Sequence, residues 1–518
     1  MKTKMNNKLY IAFLILSSCL VVSCNDFLDE VPDNRTEVDT PEKITKLLVT
    51  GYPNTSYAFI AEMASDNTDV LELAYEYIDL QRELFEWRDV SSVDFDTPFA
   101  LWANNYDAIA SANVALKAIE KLGDTEDLAP QKGEALLCRA YGHFNLVNVF
   151  CLHYGKNSSS DLGVPYMTEP ETTVRPRYER GTVAGVYERI REDLEAGLPL
   201  IDDNNYDVPK YHFNKRAAYA FAARFYLYIG EYDKVIEYAN LLLGSNPASL
   251  LMNWGALGAI TPNGSVQPDY FIQSPAALML ISSSSQWALC HGPHGVGRKY
   301  GHFSSVYSSE TTGAATPWGN LTDMIRQLPF MNLEAVVRIP TRKIGNYFEY
   351  IDQVAGIGYP YIMYPAFVTD ETLLCRAEAY IMKGDYAKAV ADMNTFMTGF
   401  ANCRDVSLAT INSFYNSMAY YTYDKPTSKK KLNPEFTIAP GGDQENLIHA
   451  VLMLRRVLTI HEGLRWFDIK RYGIEISRRS INVNASFTEL DVLKKDDPRR
   501  AIQIPADVID AGLTPNPR

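Results

Sequence analysis

Three of the eight histidines in this 518-residue chain share one short window with a cysteine: Cys290, His291, His294 and His302. Imidazole and thiolate are the side chains that zinc and other transition metals take. The spacing fits no standard site, and Gly292, Gly295, Gly297 and Gly301 interleave the candidates. The preferred reading is a glycine-rich loop, with no metal and no cofactor assigned. A second constellation is charged: Glu462, Arg465, Asp468 and Arg471. The last three stand three residues apart, share a helix face and can form ion pairs, while Trp466 and Phe467 turn toward packing. Glu462 is the carboxylate that general acid–base chemistry would want, but the motif reads as structural. The third constellation is aromatic. Trp254, Trp287, Trp318, Tyr300, Phe303, Tyr307 and Tyr347 lie in a stretch without helical period, and Trp87 precedes the first long helix. Such rings offer a binding surface for flat apolar faces. The candidate ligand-binding residues are therefore Trp287 and Trp318 first, then Tyr300, Trp254 and Trp87, with core packing as the alternative for each.

Catalytic signatures are missing. There is no GxSxG, no HExxH and no phosphate loop, and the Gly295/Gly297/Gly301 spacing does not fit a dinucleotide fingerprint. Paired carboxylates for glycoside hydrolysis meet in space and not in sequence, so 63 acidic residues leave that question open. No catalytic residue is assigned. The chain reads as a binding protein and not an enzyme, with a hydrolase or a pure assembly scaffold as the alternatives.

The N-terminus fixes the compartment. Lys2, Lys4 and Lys8 precede the apolar run Leu9–Leu20, closed by Val21-Val22-Ser23-Cys24. That is an export signal, too short to span a bilayer, with Cys24 where a bacterial lipoprotein is cleaved and acylated. Residues 1–23 carry three lysines and no acids, so removing them leaves 46 basic against 63 acidic residues. Such a surface argues against nucleic acid and against electrostatic docking on anionic lipid. The membrane link is the lipid on Cys24. Cys138, Cys151, Cys290, Cys375 and Cys403 are odd in number, widely spaced and without CxxC, which is no disulfide framework.

The elements that must position these residues are mostly helices. Residues 24–41 form a polar lipidated tether and 42–518 the body. Apolar periodicity predicts a helical scaffold over 42–245 and 370–475, and a loop-rich variable region over 246–369. Two helix pairs align on their turns: Ala223, Tyr226, Gly230-Glu231-Tyr232 and Ala239 against Ala377, Tyr380, Gly384-Asp385-Tyr386 and Met393. This is similar to the tetratricopeptide pattern. The long C-terminal helical stretch 447–472 has a break available at Gly463.

Several stretches together resemble the SusD/RagB family of outer-membrane nutrient-binding lipoproteins. They are Cys24-Asn25-Asp26-Phe27-Leu28-Asp29 with Pro32, Trp102 with Tyr106, Ile109 and Asn113, and Arg139-Ala140-Tyr141 with Phe144-Asn145-Leu146-Val147. Gly163-Val164-Pro165 and Tyr187 with Asp193-Leu194 follow, then Arg455-Arg456 and the run His461 to Gly473, and finally Ile504-Pro505 and Asn516-Pro517. The resemblance implies a mainly α fold of tetratricopeptide-like hairpins with a loop-rich binding half. It implies a surface-exposed, lipid-anchored position in the outer membrane. It also implies capture of glycan, or of peptide as in RagB-like relatives, for delivery to a SusC-like, TonB-dependent barrel transporter.

Overall fold

The computed structural model describes residues 38–72, 74–171, 177–260, 266–291, 299–320, 341, 343–482 and 486–518. The export segment, Cys24, most of the tether and His294 lie outside the described residues. Thr40–Arg518 is one of two units into which the chain separates, and it is the one described below.

Its helices begin where the sequence supplies caps. After α1 (Ala58–Ala64) and α2 (Asp79–Phe85), α3 (Pro98–Lys121) starts at Thr97, whose hydroxyl accepts from the Ala100 amide at 3.1 Å, with Pro98 in the first turn. α4 (Ala129–Phe150) is buried at every residue from Gly133 to Phe150, as its all-round apolarity predicts. Thr182 caps α5 (Val183–Gly197) and Asn214 caps α6 (Lys215–Ile229). α7 (Tyr232–Leu243), α8 (Thr369–Lys383) and α9 (Tyr386–Ala401) complete two hairpins, α6/α7 and α8/α9, which meet through α7 and α8. Their turns are congruent. Gly230 and Gly384 have φ of +78° and +79°, and the next residue's amide returns to Tyr226 and Tyr380 respectively, at 2.9 Å in both. The left-handed conformation is what glycine supplies at a helix end. The fold is mainly α, with tetratricopeptide-like hairpins. The C-terminal stretch is two helices, α10 (Asp443–Leu458) and α11 (Leu464–Arg471), broken at Gly463 with φ +81°.

The 246–369 region carries more order than its missing helical period implies. β2 (Ala277–Ser284) and β4 (Tyr347–Asp352) flank β5 (Ile357–Val368) in an antiparallel three-stranded sheet. A second sheet runs β3 (Tyr300–Gly301), β1 (Asp69–Leu71), β6 (Ile476–Ile481), β7 (Phe487–Leu493), so the N-terminal and C-terminal parts of the body are joined edge to edge. The apolar run of β2 is largely buried, and a run that short has no period to distinguish it from other structure.

Charged side chains hold the layers together from inside. Arg139 grips Asp193 with two bonds of 2.7 and 2.6 Å, and Arg376 grips Asp392 at 2.8 and 2.7 Å. Arg224 binds Glu371 the same way, joining the two hairpins. In the C-terminal motif, Asp468 accepts from Arg455 at 2.9 Å and from Arg471 at 2.8 Å. Arg465 does not join this pair: it reaches 399 residues back to Asp66, with two bonds of 2.9 Å. Arg456 donates to Asn67 and the Asp66 carbonyl, each at 2.8 Å, and Glu310 collects Lys430, Arg456 and Arg479. Glu462 is buried against Lys343. Cys138, Cys151, Cys290, Cys375 and Cys403 are all buried.

Removing one member of such a cluster leaves the others charged and dry. Asp66→Ala should therefore lower unfolding free energy by about 3–5 kcal/mol in urea titrations. Glu310 gives a pH signature. Burial opposes its ionisation, but Lys430, Arg479 and Arg456 outweigh burial and hold the carboxyl at about 2. A folded value below the unfolded one stabilises above the ordinary carboxylate range and ceases to do so as pH falls toward 2. The stability gap between wild type and Glu310→Gln should accordingly be full near neutral pH and shrink between about pH 5 and pH 2.

Candidate functional site

The five aromatic candidates are corrected by their burial. Trp87, Trp254, Trp287, Trp318 and Tyr300 are 2–6% exposed. Trp287 stacks on Phe59 with ring centres 4.9 Å apart and gives its indole N–H to the His461 carbonyl at 2.8 Å. Trp254 donates to Asp370 at 2.9 Å, Trp318 to Asn394 at 2.8 Å, and Trp87 to the Ala64 carbonyl at 2.9 Å under the Arg478 guanidinium. Tyr300 lies 5.1 Å from Phe85 and donates toward Glu76. A buried indole with a satisfied N–H presents neither a face nor a polar edge to a ligand. All five belong to the main hydrophobic core, which they share with the helices. His291 and His302 likewise pack around His461, with ring centres 4.4 and 5.9 Å away. Among the described residues no group of His, Cys, Asp and Glu is arranged to hold a metal ion.

A different set of aromatics reaches the surface, divided between the two faces of the β4/β5 hairpin. Phe95 is 38% exposed and lies 6.2 Å from Tyr359 of β5. Tyr359 donates to Glu349 across the β4/β5 hairpin at 2.8 Å. On the opposite face of that hairpin, Phe348 and the 56% exposed Tyr350 meet edge to face at 4.8 Å. Phe95 comes from the segment between α2 and α3, which has no regular structure of its own and is pinned at three points. Trp87, at φ +52°, is driven into the core. Glu83 accepts from the Ser91 amide and hydroxyl at 3.2 and 2.9 Å. Asp96, at φ +63°, accepts from the Ser285 hydroxyl at 2.6 Å and the Gln286 amide at 2.8 Å. Burial pushes the Asp96 carboxyl up to about 7 against those two bonds. These pins fix Phe95 against the sheet at the end of β2, where Ser284 pairs with Tyr361.

Beside Phe95 runs a polar cleft of about 500 Å³, lined by Tyr77, Asp79, Ser91, Ser92, Asp94 and Gln286 among others. Rings to stack on, together with carboxylates, hydroxyls and an amide to meet hydroxyl groups, are a chemistry for binding polyols. The surroundings are acidic and so do not favour an anionic ligand. The signal in the sequence was the alternation Tyr347-Phe348-Glu349-Tyr350 next to Tyr359 and Tyr361, which marks a half-exposed hairpin and needs period two to be seen.

Comparison with known proteins places the fold. Residues 26–227 match a SusD-like family described as "Starch-binding associating with outer membrane". A SusD-like protein of Formosa agariphila is 27% identical over 164 residues, covering 30% of this chain and 28% of that protein's length. Crystal structures agree over nearly the whole body. A putative sugar binding protein from Bacteroides vulgatus superposes with TM-score 0.66 at 18% identity, covering 93% of this chain and 99% of that one. A SusD superfamily protein from Bacteroides thetaiotaomicron gives TM-score 0.61 at 18% identity, covering 93% and 100%.

Burial and exposure separate the two aromatic sets by experiment. Trp287→Ala should cost about 3–5 kcal/mol of stability, whereas Phe95→Ala should stay within about 0.5 kcal/mol of wild type. Paired urea unfolding curves followed by circular dichroism measure both.

Proposed function

We propose that this chain, whose residues 26–227 match a SusD-like family and whose body has the fold of SusD superfamily structures, captures glycan at the outer membrane and hands it on chemically unchanged. The observation that carries the reading is the ring pair of Phe95 and Tyr359 beside an acidic, hydroxyl-lined cleft. The rings stack on sugar faces, and the polar groups at the rim take up hydroxyls. The loop that presents Phe95 is pinned before ligand arrives, so little ordering entropy is lost on binding. In this reading the export signal of residues 1–23 is removed and Cys24 is acylated, holding the body at the cell surface. A SusC-like, TonB-dependent barrel is the receiving partner.

The experiment is affinity electrophoresis of the mature protein through gels containing soluble starch, xylan or a mannan. Wild type should be retarded by at least one of them, and the double variant Phe95→Ala/Tyr359→Ala should bind roughly tenfold more weakly, as loss of about 1.4 kcal/mol implies. The polysaccharide should gain no reducing ends on prolonged incubation. Equal retardation of the double variant would move the site elsewhere, and newly formed reducing ends would make the protein a hydrolase.

A further inference from the structure

A second cleft, of about 720 Å³, shares no lining residue with the open face. It lies between the start of α3 and the C-terminal tail. Trp102 and Tyr106 come from α3, Pro165 and Met167 from the loop after α4, Tyr178 from the segment before α5, and Asp507 from the short helix Ala506–Asp510. A volume of this order suits a small ligand.

Trp102 gives the cleft its meaning. The indole is 9% exposed, wedged 5.2 Å from Phe150 and 5.0 Å from Tyr106. Trp87, Trp254, Trp287 and Trp318 all donate their N–H to a protein acceptor. Trp102 lines a cleft and has no such acceptor among the described residues. An indole N–H left without a protein acceptor at a cleft is completed by water or by a ligand oxygen. Tyr106 is already committed to the Pro165 carbonyl at 2.8 Å, so it contributes its ring and not its hydroxyl. Tyr178, half in solvent, donates to Glu171 at 2.6 Å and stands as the outer ring.

The walls are held in register by one buried side chain. Arg180 donates to the Gly163 carbonyl at 2.6 Å and the Phe150 carbonyl at 3.2 Å on one side. On the other it reaches the Thr514 carbonyl at 3.0 Å and the Asn516 side-chain oxygen at 2.7 Å. Asn516 in turn donates to the Phe150 and Ile502 carbonyls at 2.9 and 2.8 Å. The cleft is therefore preformed.

From this arrangement we infer a second, closed sugar-binding site, built on Trp102, Tyr106 and Tyr178, that takes a short neutral oligosaccharide. Carboxylates at the rim, Asp507 among them, accept hydroxyl protons and repel anions. Ring faces cover C–H surface, and the Trp102 N–H meets a ring or hydroxyl oxygen. The inference rests on the glycan-binding reading but adds a site for chain ends or short fragments, separate from the open face that grips polymer.

The test is saturation-transfer-difference NMR on the full mature protein with a panel of neutral trisaccharides built on glucose, xylose, mannose or galactose. Wild type and Phe95→Ala/Tyr359→Ala should both transfer signal to the same trisaccharide. Tyr178→Ala and Trp102→Phe should weaken that binding by roughly tenfold. Tyr178 is exposed, so its variant folds even if the Trp102 variant does not. Signal lost in the open-face variant but unchanged in both cleft variants overturns the second site and leaves the proposed function standing. Retention by polysaccharide gels without trisaccharide signal does the same. Absence of both trisaccharide signal and gel retention overturns the two together.

Discussion

The body of this protein depends on charges it has taken out of water. Asp66, Asp69, Glu310, Lys430, Arg456, Arg465 and Arg479 form one dry cluster that gathers the 66–69 segment, the 304–310 helix and the C-terminal motif. Asp468 and Glu378 do the same for Arg455 and Arg471. Desolvating an ion costs several kcal/mol, and that cost is met only when every partner arrives in place. Such a cluster tolerates few alternative arrangements. It therefore fixes where α1, α10, α11 and the four-stranded sheet sit relative to one another, and through them where α2 and the Phe95 segment are delivered.

The helical hairpins solve a simpler problem. Each buries an apolar stripe against its neighbour; buried arginines set the register within helix pairs, Arg139 to Asp193 and Arg376 to Asp392, and between the two hairpins, Arg224 to Glu371. Two of these arginines stand in the same local context, Cys138-Arg139-Ala140 and Cys375-Arg376-Ala377, a repeat feature separate from the glycine turns. A bidentate guanidinium–carboxylate pair is directional, so it specifies which face of the next helix packs, where apolar contact alone would allow sliding.

On this rigid frame the aromatic residues divide between core and surface. Trp87, Trp254, Trp287 and Trp318 have acceptors inside the protein and become core. Phe95, Phe348 and Tyr350 are left at the surface, because the hairpin and the pinned loop end the sheet there. Binding surfaces of this kind sit on irregular segments held by a scaffold, and here the scaffold holds them by Glu83, Asp96 and Trp87. Under the proposed function, glycan recognition is a matter of ring spacing and rim polarity.

The sequence by itself determined the helical class, the two glycine-turned hairpins, the break at Gly463 and the buried state of Cys138, Cys375, Trp466 and Phe467. All of these are local: a cap, a left-handed residue or an apolar period of 3.6 is visible within a dozen residues. Tertiary structure alone decided that Arg465 answers to Asp66 and not to Asp468, three residues away on its own helix. It also decided which rings face solvent. Ion pairing and burial depend on neighbours hundreds of residues apart, and an indole 3% exposed has the same letter as one on a surface. Composition named aromatic stacking as the chemistry. Only the packing of β4, β5 and the loop before α3 chose Phe95 and Tyr359 to present it.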